Sequence, residues 1–260
     1  MADDGLAGGT ADGHPSGVPV PRPGLGGGVA AGALRDVLLR SRELGFLGPG
    51  DVEAHIRNAD VFLEALSSRA GGATASGSAP DAPAAGDVGP PSSSPGPARL
   101  LDLGSGGGVP GLVIAAARDD LQIVLLDAAE RRTAFLEQAV AELGIGSRVT
   151  VVRGRAEELG RDPELRGRFD VVTARSFGPP AVTAECAVAF LAGPGSTVLV
   201  SEPPGGDPER WPPAPLAEMG LRPGATWRGV DSTVRALDQI GSCPDALPRR
   251  VGLPARRPLF

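Results

Sequence analysis

The stretch Asp102-Leu103-Gly104-Ser105-Gly106-Gly107-Gly108-Val109-Pro110-Gly111 decides the fold. A short Leu-rich run at 99–103 leads into it, and an apolar helical pattern at 111–117 leads out of it. Glycines at 104, 106 and 108 let the main chain turn tightly and approach a ligand where a Cβ would clash, and a helix start behind them offers unpaired N–H groups. The pattern predicts a strand, a ligand-binding loop and a helix in direct succession.

Downstream the same alternation repeats. Runs that read as strands lie at 99–103, 122–126, 149–152, 170–174 and 197–200, and helical patterns lie at 111–117, 131–143 and 182–191. Strands and helices in alternation predict βαβ units and an α/β domain, a doubly wound and largely parallel sheet. Ligands in such sheets sit beyond the carboxyl ends of the strands, where the strand order reverses. Residues 207–235 are too rich in Pro and Gly to predict final strands. Upstream, Leu34, Val37 and Leu38 share one helical face, and Val52, Ile56, Ala59, Leu63 and Leu66 recur every three or four residues from a helix start at Asp51. These two helices, within residues 29–70, read as an N-terminal helical appendage. Residues 1–28 read as a disordered tail and 71–98 as a flexible linker rich in Gly, Pro, Ser and Ala. The main domain is expected over 99–247, with a basic tail at 248–260.

Composition excludes several classes. The 260 residues carry 25 basic against 31 acidic side chains, a net charge of -6, which argues against a protein coating nucleic acid through bulk charge and leaves room only for a local basic face. Every side-chain cation is Arg apart from any protonated His, because the chain has no lysine. No apolar run reaches the roughly 18 to 20 residues of a membrane span, so no membrane partner is expected. The N-terminus has no charged and apolar leader pattern, and two cysteines, Cys186 and Cys243, make neither a disulfide framework nor a zinc site. A cytoplasmic, metal-free, monomeric protein is expected.

The identity of the ligand stays open at the level of the loop. Gly106, Gly108 and Gly111 also satisfy G-x-G-x-x-G, the dinucleotide fingerprint. Asp102, just before the glycines, suits a ligand with a cationic amino-acid end, as in S-adenosylmethionine (SAM), better than a pyrophosphate. Asp127, at the end of the second strand, can accept hydrogen bonds from both ribose hydroxyls of either cofactor. After the third strand, Ala156 and Glu157 offer a main-chain N–H and an acid that can read an adenine edge. After the fourth, Arg175 and Phe177 put a cation and an aromatic ring at the mouth of the sheet. Cys186 lies in an apolar helical pattern and reads as a buried small residue.

Residues 100–200 resemble the GidB-like (RsmG) family of SAM-dependent methyltransferases, through LLDLGSGGGVPG, VLLDAAERRTAFLEQAVAELG, VVRGRAEEL and FDVVTARSF. LGFLGPGDVEAHIRNADVF before the linker and PRRVGLPARRPLF at the C-terminus resemble the same family. The resemblance implies a class I methyltransferase fold, SAM as cofactor and a guanine N7 of 16S ribosomal RNA in the small subunit as acceptor. It places SAM contacts on Gly104, Val109, Ala156, Glu157 and Arg175, with Arg175 also near the reacting centre; Asp102, Gly106, Gly108 and Asp127 complete the expected site. The family has a His and an Asn similar to His55 and Asn58, which read equally as helix packing or as an RNA contact. Arg249, Arg250, Arg256 and Arg257 are expected to meet RNA from a tail that Pro248 and Pro254 hold extended. Ser201-Glu202-Pro203-Pro204 stands where the family has a basic residue and a glycine, so an acid and a kink are expected beside the site. A paralogue acting on a small metabolite, and a SAM-binding module without catalysis, are the rival readings.

Overall fold

The computed structural model describes residues 29–72 and 98–260. The tail expected at 1–28 and nearly all of the linker expected at 71–98 lie outside the described residues, while Gly71 and Gly72 belong to a helix.

Seven strands form one sheet in the order β3-β2-β1-β4-β5-β7-β6. They are β1 Arg99–Leu103, β2 Gln122–Asp127, β3 Val149–Arg153, β4 Val171–Ala174, β5 Thr197–Glu202, β6 Leu221–Arg228 and β7 Thr233–Gln239. The first five run parallel, and β7 lies antiparallel to both β5 and β6. The last two strands form despite the Pro and Gly content of their region: a bulge between Pro223 and Thr226 absorbs the irregularity in β6. Leu103 is level with Leu126 on one side and Ala174 on the other, so β1, β2 and β4 end together at the place where the order reverses.

Both faces of the sheet are covered, which is why its strands read as continuous apolar runs. Side chains alternate between the faces: Leu100 joins a core with Ile123, Leu125 and, on helix α4 Glu130–Glu142, Leu136, and Leu101 and Leu103 join a second core with Phe169, Phe190, Trp211 and, on helix α7 Pro213–Glu218, Leu216. Asp102, one residue from each, points into the first.

The helical appendage is seated on the sheet. Helices α1 Ala31–Glu43 and α2 Val52–Gly72 bury Leu34, Val37, Leu38, Ala59 and Phe62 in the same core as Leu112, Leu199 and Val234. Trp227 Nε1 donates to Ser68 Oγ at 3.0 Å, and Arg69 pairs with Asp238 at 2.9 Å, fastening α2 to β6 and β7. Gly45, at φ +73, ends α1, with Phe46 N–H returning to Ser41 O at 2.9 Å and Gly45 N–H to Arg42 O at 2.9 Å. That turn directs Phe46 and Leu47 toward the loop after β1. Asp51 starts α2 by accepting from Ala54 N–H at 2.6 Å.

Because the helices share the sheet's core, Phe62→Ala, at a fully buried side chain, should cost about 3–5 kcal/mol and shift the entire unfolding transition. Urea unfolding followed by signals from Trp211 and Trp227 checks this. Loss of the helices in a separate transition, with the sheet unchanged, would contradict the shared core.

Candidate active site

The loop Gly104–Pro110 leaves β1 and is pinned to the end of β2. Gly104 N–H and Ser105 N–H both donate to Leu126 O, at 2.8 and 2.9 Å. Gly106 N–H donates to Asp127 Oδ2 at 2.9 Å, and Ala129 N–H to Asp127 Oδ1 at 2.8 Å. A carboxylate offers about four acceptor positions, so Asp127 orders the loop and retains capacity for ligand hydroxyls.

Asp102 ties the loop to its surroundings. Its Oδ1 accepts from Thr173 Oγ1 on β4 at 2.7 Å and its Oδ2 from Gly111 N–H, at the start of helix α3 Gly111–Ala117, at 3.2 Å. Burial pushes this carboxyl up to about 6, against the hydrogen bonds from Thr173, Ser105 and Gly111 and the field of Arg175. A Cβ on Gly111 would stand 2.5 Å from Asp102 Oδ2, and one on Gly108 would meet Leu112 at 2.4 Å. Those two glycines therefore serve close packing. Gly107 allows the N-terminal helices to approach: its carbonyl accepts from Ser41 Oγ at 2.9 Å, and a Cβ there would strike Ser41, Leu47 and Phe46. At Gly106 the added atom would find only ordinary contacts, at 3.7 Å and beyond, so this side of the loop has space.

Beyond β4, Arg175 is half-buried, and its Nη2 lies 2.6 Å from His55 Nδ1 on α2. Among the described residues it has no carboxylate partner, and burial lowers its pKa while the more remote Asp102 raises it. Ser176 takes φ 54, the only non-glycine in the left-handed region among the described residues, and turns the chain so that the Phe177 ring covers Gly104. Arg175, Ser176 and Phe177 line a cleft of about 370 Å³ with Asn58, Ser201, Glu202 and Asp231. Asn58 Oδ1 is buried there without a hydrogen-bond partner.

Other expected residues have different surroundings. Val109 has its side chain in the core, so only its main chain is available to a ligand. Ala156, likewise buried, opens helix α5 Ala156–Leu159, and Glu157 Oε1 accepts from Gly252 N–H of the C-terminal segment at 3.0 Å. That segment is not an extended free tail. It forms helix α8 Leu253–Arg256, and Arg249 is bound to the fully buried carboxylate of Glu185 on helix α6 Pro180–Val188, at 2.6 Å. Arg250, Arg256 and Arg257 are exposed. Cys186 is buried and its thiol is pushed up to about 12 by that burial, so it is no nucleophile at neutral pH.

Glu202 closes β5 on the cleft wall, as the acid expected beside the site, and the chain turns away over residues 203–206, but its charge is not free. Its buried carboxylate accepts from Trp211 Nε1 at 2.6 Å, Arg235 Nε at 2.9 Å and Arg210 Nη1 at 3.3 Å. Two guanidinium groups thus flank one carboxylate. The basic partners come from β7 and from a 3-10 helix at Pro208–Arg210, both too far along the chain for local pattern to reveal.

These groups fit SAM. Asp127 can accept from the ribose, the open side of Gly106 has room for a ligand such as the methionine portion, and the half-buried cation of Arg175, without a carboxylate partner among the described residues, suits an anionic ligand group. A cationic ligand amino group near Asp102 favours the ionised carboxyl, so binding expels a proton below about pH 6 and SAM affinity should rise as pH climbs through that value. In the free protein the same raised pKa acts oppositely on stability: its contribution is greatest in acid and declines as pH passes through about 6. Calorimetric SAM titrations between about pH 5 and 7 check the first effect; an affinity flat across that range would separate Asp102 from the ligand's charge.

Residues 91–201 match the GidB family, described as rRNA small subunit methyltransferase G. The chain is 38% identical over 177 residues to the ribosomal RNA small subunit methyltransferase G of Prochlorococcus marinus (strain MIT 9313), covering 63% of this chain and 68% of that protein. It is 39% identical over 177 residues to the protein of that name from strain MIT 9303 of the same species, covering 63% and 68%. With the corresponding Moorella thermoacetica protein it shares 36% identity over 169 residues, covering 62% and 70%. The glycine loop, the acids at the ends of β1 and β2 and the arginine after β4 all lie in the matched region, and the chain belongs to the GidB family of SAM-dependent small-subunit ribosomal RNA methyltransferases.

Proposed function

We propose that this protein methylates N7 of a guanine in the 16S ribosomal RNA of the small subunit. The observation that carries the reading is Arg175, half-buried and without a carboxylate partner among the described residues, on the wall of the 370 Å³ cleft two residues from Phe177, whose ring covers Gly104 of the glycine loop. SAM supplies an electrophilic methyl group. Asp127 and the loop hold its nucleoside and amino-acid portions, Arg175 meets an anionic group, and the cleft beyond Phe177 receives the base. Guanine N7 has an exposed lone pair and no proton to lose, so the protein's task is alignment, with no base required. As the new N–C bond forms and the S–C bond breaks, positive charge passes from sulfur to the purine ring. The two acids on the cleft wall are both paired with arginines, Glu202 with Arg210 and Arg235 and Asp231 with Arg57, so neither offers an uncompensated charge to the product cation.

RNA is met through local positive groups. Arg250, Arg256 and Arg257 are exposed on a segment anchored by Glu157 and Glu185, on helices that begin just beyond β3 and β4. Arg57, also exposed, lies on α2 3.8 Å from Asp231. Arg249 serves this surface by anchoring the segment through Glu185. The protein acts as a cytoplasmic monomer.

Incubation with labelled SAM and small subunits lacking N7 methylation should yield labelled 7-methylguanosine on nucleoside analysis. Label on another nucleoside, or none while SAM is bound, would overturn the acceptor assignment. Asp127→Ala should weaken SAM binding about 100-fold, the equivalent of one or two charge-assisted hydrogen bonds, and unchanged affinity would remove Asp127 from the site. Converting Arg250, Arg256 and Arg257 together to Glu should lower subunit affinity and reduce its salt slope by roughly 1 for each phosphate no longer neutralised; an unchanged slope would take the segment out of the interface.

A further inference from the structure

His55 is buried on α2, far in sequence from the strands that build the site, and its ring meets two polar groups. Its Nε2 is 3.1 Å from Gly48 O, in the turn between α1 and α2, and its Nδ1 is 2.6 Å from Arg175 Nη2. The chemistry of the partners fixes the state of the ring. A carbonyl oxygen can only accept, so Nε2 must carry the proton; a guanidinium can only donate, so Nδ1 must present its lone pair. Both hydrogen bonds are satisfied at once by one form alone, the neutral imidazole with its proton on Nε2.

We propose that His55 is the positioning residue of Arg175: as the Nε2–H tautomer it sets the direction of the guanidinium and ties it to the α1–α2 turn that also supports the glycine loop. The inference rests on Arg175 being the group that meets the ligand's negative charge. A neutral acceptor suits that role better than a carboxylate would. An Asp or Glu would orient the guanidinium equally well but would neutralise it and compete with the ligand's anion; imidazole takes one of five N–H donors and leaves the charge available. The charged groups facing the ring are Arg175 beyond β4, Arg42 in the last turn of α1 and Asp51 at the start of α2. Burial, together with Arg175, holds the imidazole below its ordinary value of 6.5, so the neutral ring prevails at neutral pH.

The same hydrogen bond links the docked N-terminal helices to the far side of the site. Ser41 on α1 holds Gly107 of the loop, Gly48 holds His55, and His55 holds Arg175, so one turn of chain references both sides of the site to the same frame.

Two measurements test the proposal on the full chain. The protein has only two histidines, His14 and His55, so long-range proton–nitrogen NMR spectra assigned with His55→Asn report the tautomer directly. Nε2–H at neutral pH is expected; an Nδ1–H tautomer or a protonated ring would overturn the pairing with Arg175. For function, His55→Asn places an acceptor oxygen near the position of Nδ1, whereas His55→Gln reaches toward Nε2 and His55→Ala provides neither. His55→Asn should keep kcat/KM and SAM affinity within a few fold of the parent. The Gln and Ala variants should lose about 10- to 100-fold in kcat/KM, the cost of a misplaced binding group, with thermal melts confirming that each variant is folded. Equal kinetics for the Asn and Gln variants, or parental kinetics for the Ala variant, would overturn the positioning role. SAM affinity is read without any acceptor, so a parent that binds SAM yet leaves guanine unmethylated overturns the proposed reaction, while the tautomer and the Asn-against-Gln difference in SAM affinity still decide the role of His55.

Discussion

The carboxylate of Asp102 joins the three elements that make the site. It lies at the end of β1, takes a hydrogen bond from Thr173 on β4 and another from the first N–H of α3. Strands β1 and β4 are the neighbours at which the sheet order reverses, and α3 begins where the glycine loop ends. A buried acid is costly, and burial pushes this carboxyl up to about 6 against the hydrogen bonds it receives. The acid is therefore both a structural tie and a charge for which a cationic ligand group would complete the balance. The glycines follow from the same constraint. Gly111 must lack a side chain because Asp102 and Leu125 fill that space, while Gly106 keeps an open side.

A second constraint comes from the N-terminal helices. Their amphipathic faces demand a partner, and the sheet face carrying Leu199, Val234 and Ala236 demands a cover; each satisfies the other. Docking places Phe46 against Phe135, edge to face at 5.7 Å, and brings Phe46 and Leu47 over Gly107. The ligand loop is thus held from below by β2 and from outside by α1 and its C-terminal turn. The pairing of Arg40 with Glu142 and of Arg35 with Glu53 adds surface interactions of modest worth, so packing is the main source of that order.

The distribution of charge follows a similar logic. With every side-chain base an arginine and the balance acidic, the protein uses part of its arginines internally: Arg235 and Arg210 on Glu202, and Arg249 on Glu185. Removing one member of such a buried pair would leave an uncompensated charge, so these arginines are structural even where they lie near a binding surface. Arg175 differs in having a neutral imidazole where the others have a carboxylate.

The sequence by itself determined the local chemistry. The periods of its apolar residues set strands against helices, the glycines announced the loop, and Asp102, Asp127 and Arg175 could be placed at strand ends because each follows an apolar run directly. The identity of those residues, with the flanking motifs, also carried the family. What only the tertiary structure decided are relations between segments distant in the chain. Glu202 reads only as an acid beside the site until Trp211, Arg210 and Arg235 converge on it, and the C-terminal arginines read as one basic tail until Glu185 takes Arg249. The N-terminal helices read as an appendage because an amphipathic face shows that a helix must pack without showing on what. His55 and Arg175, 120 residues apart, share no periodicity or motif that links them; the sheet order and the seating of α2 bring them together. Local pattern encodes which side chains seek burial or a partner, and three-dimensional closure selects the partner they find.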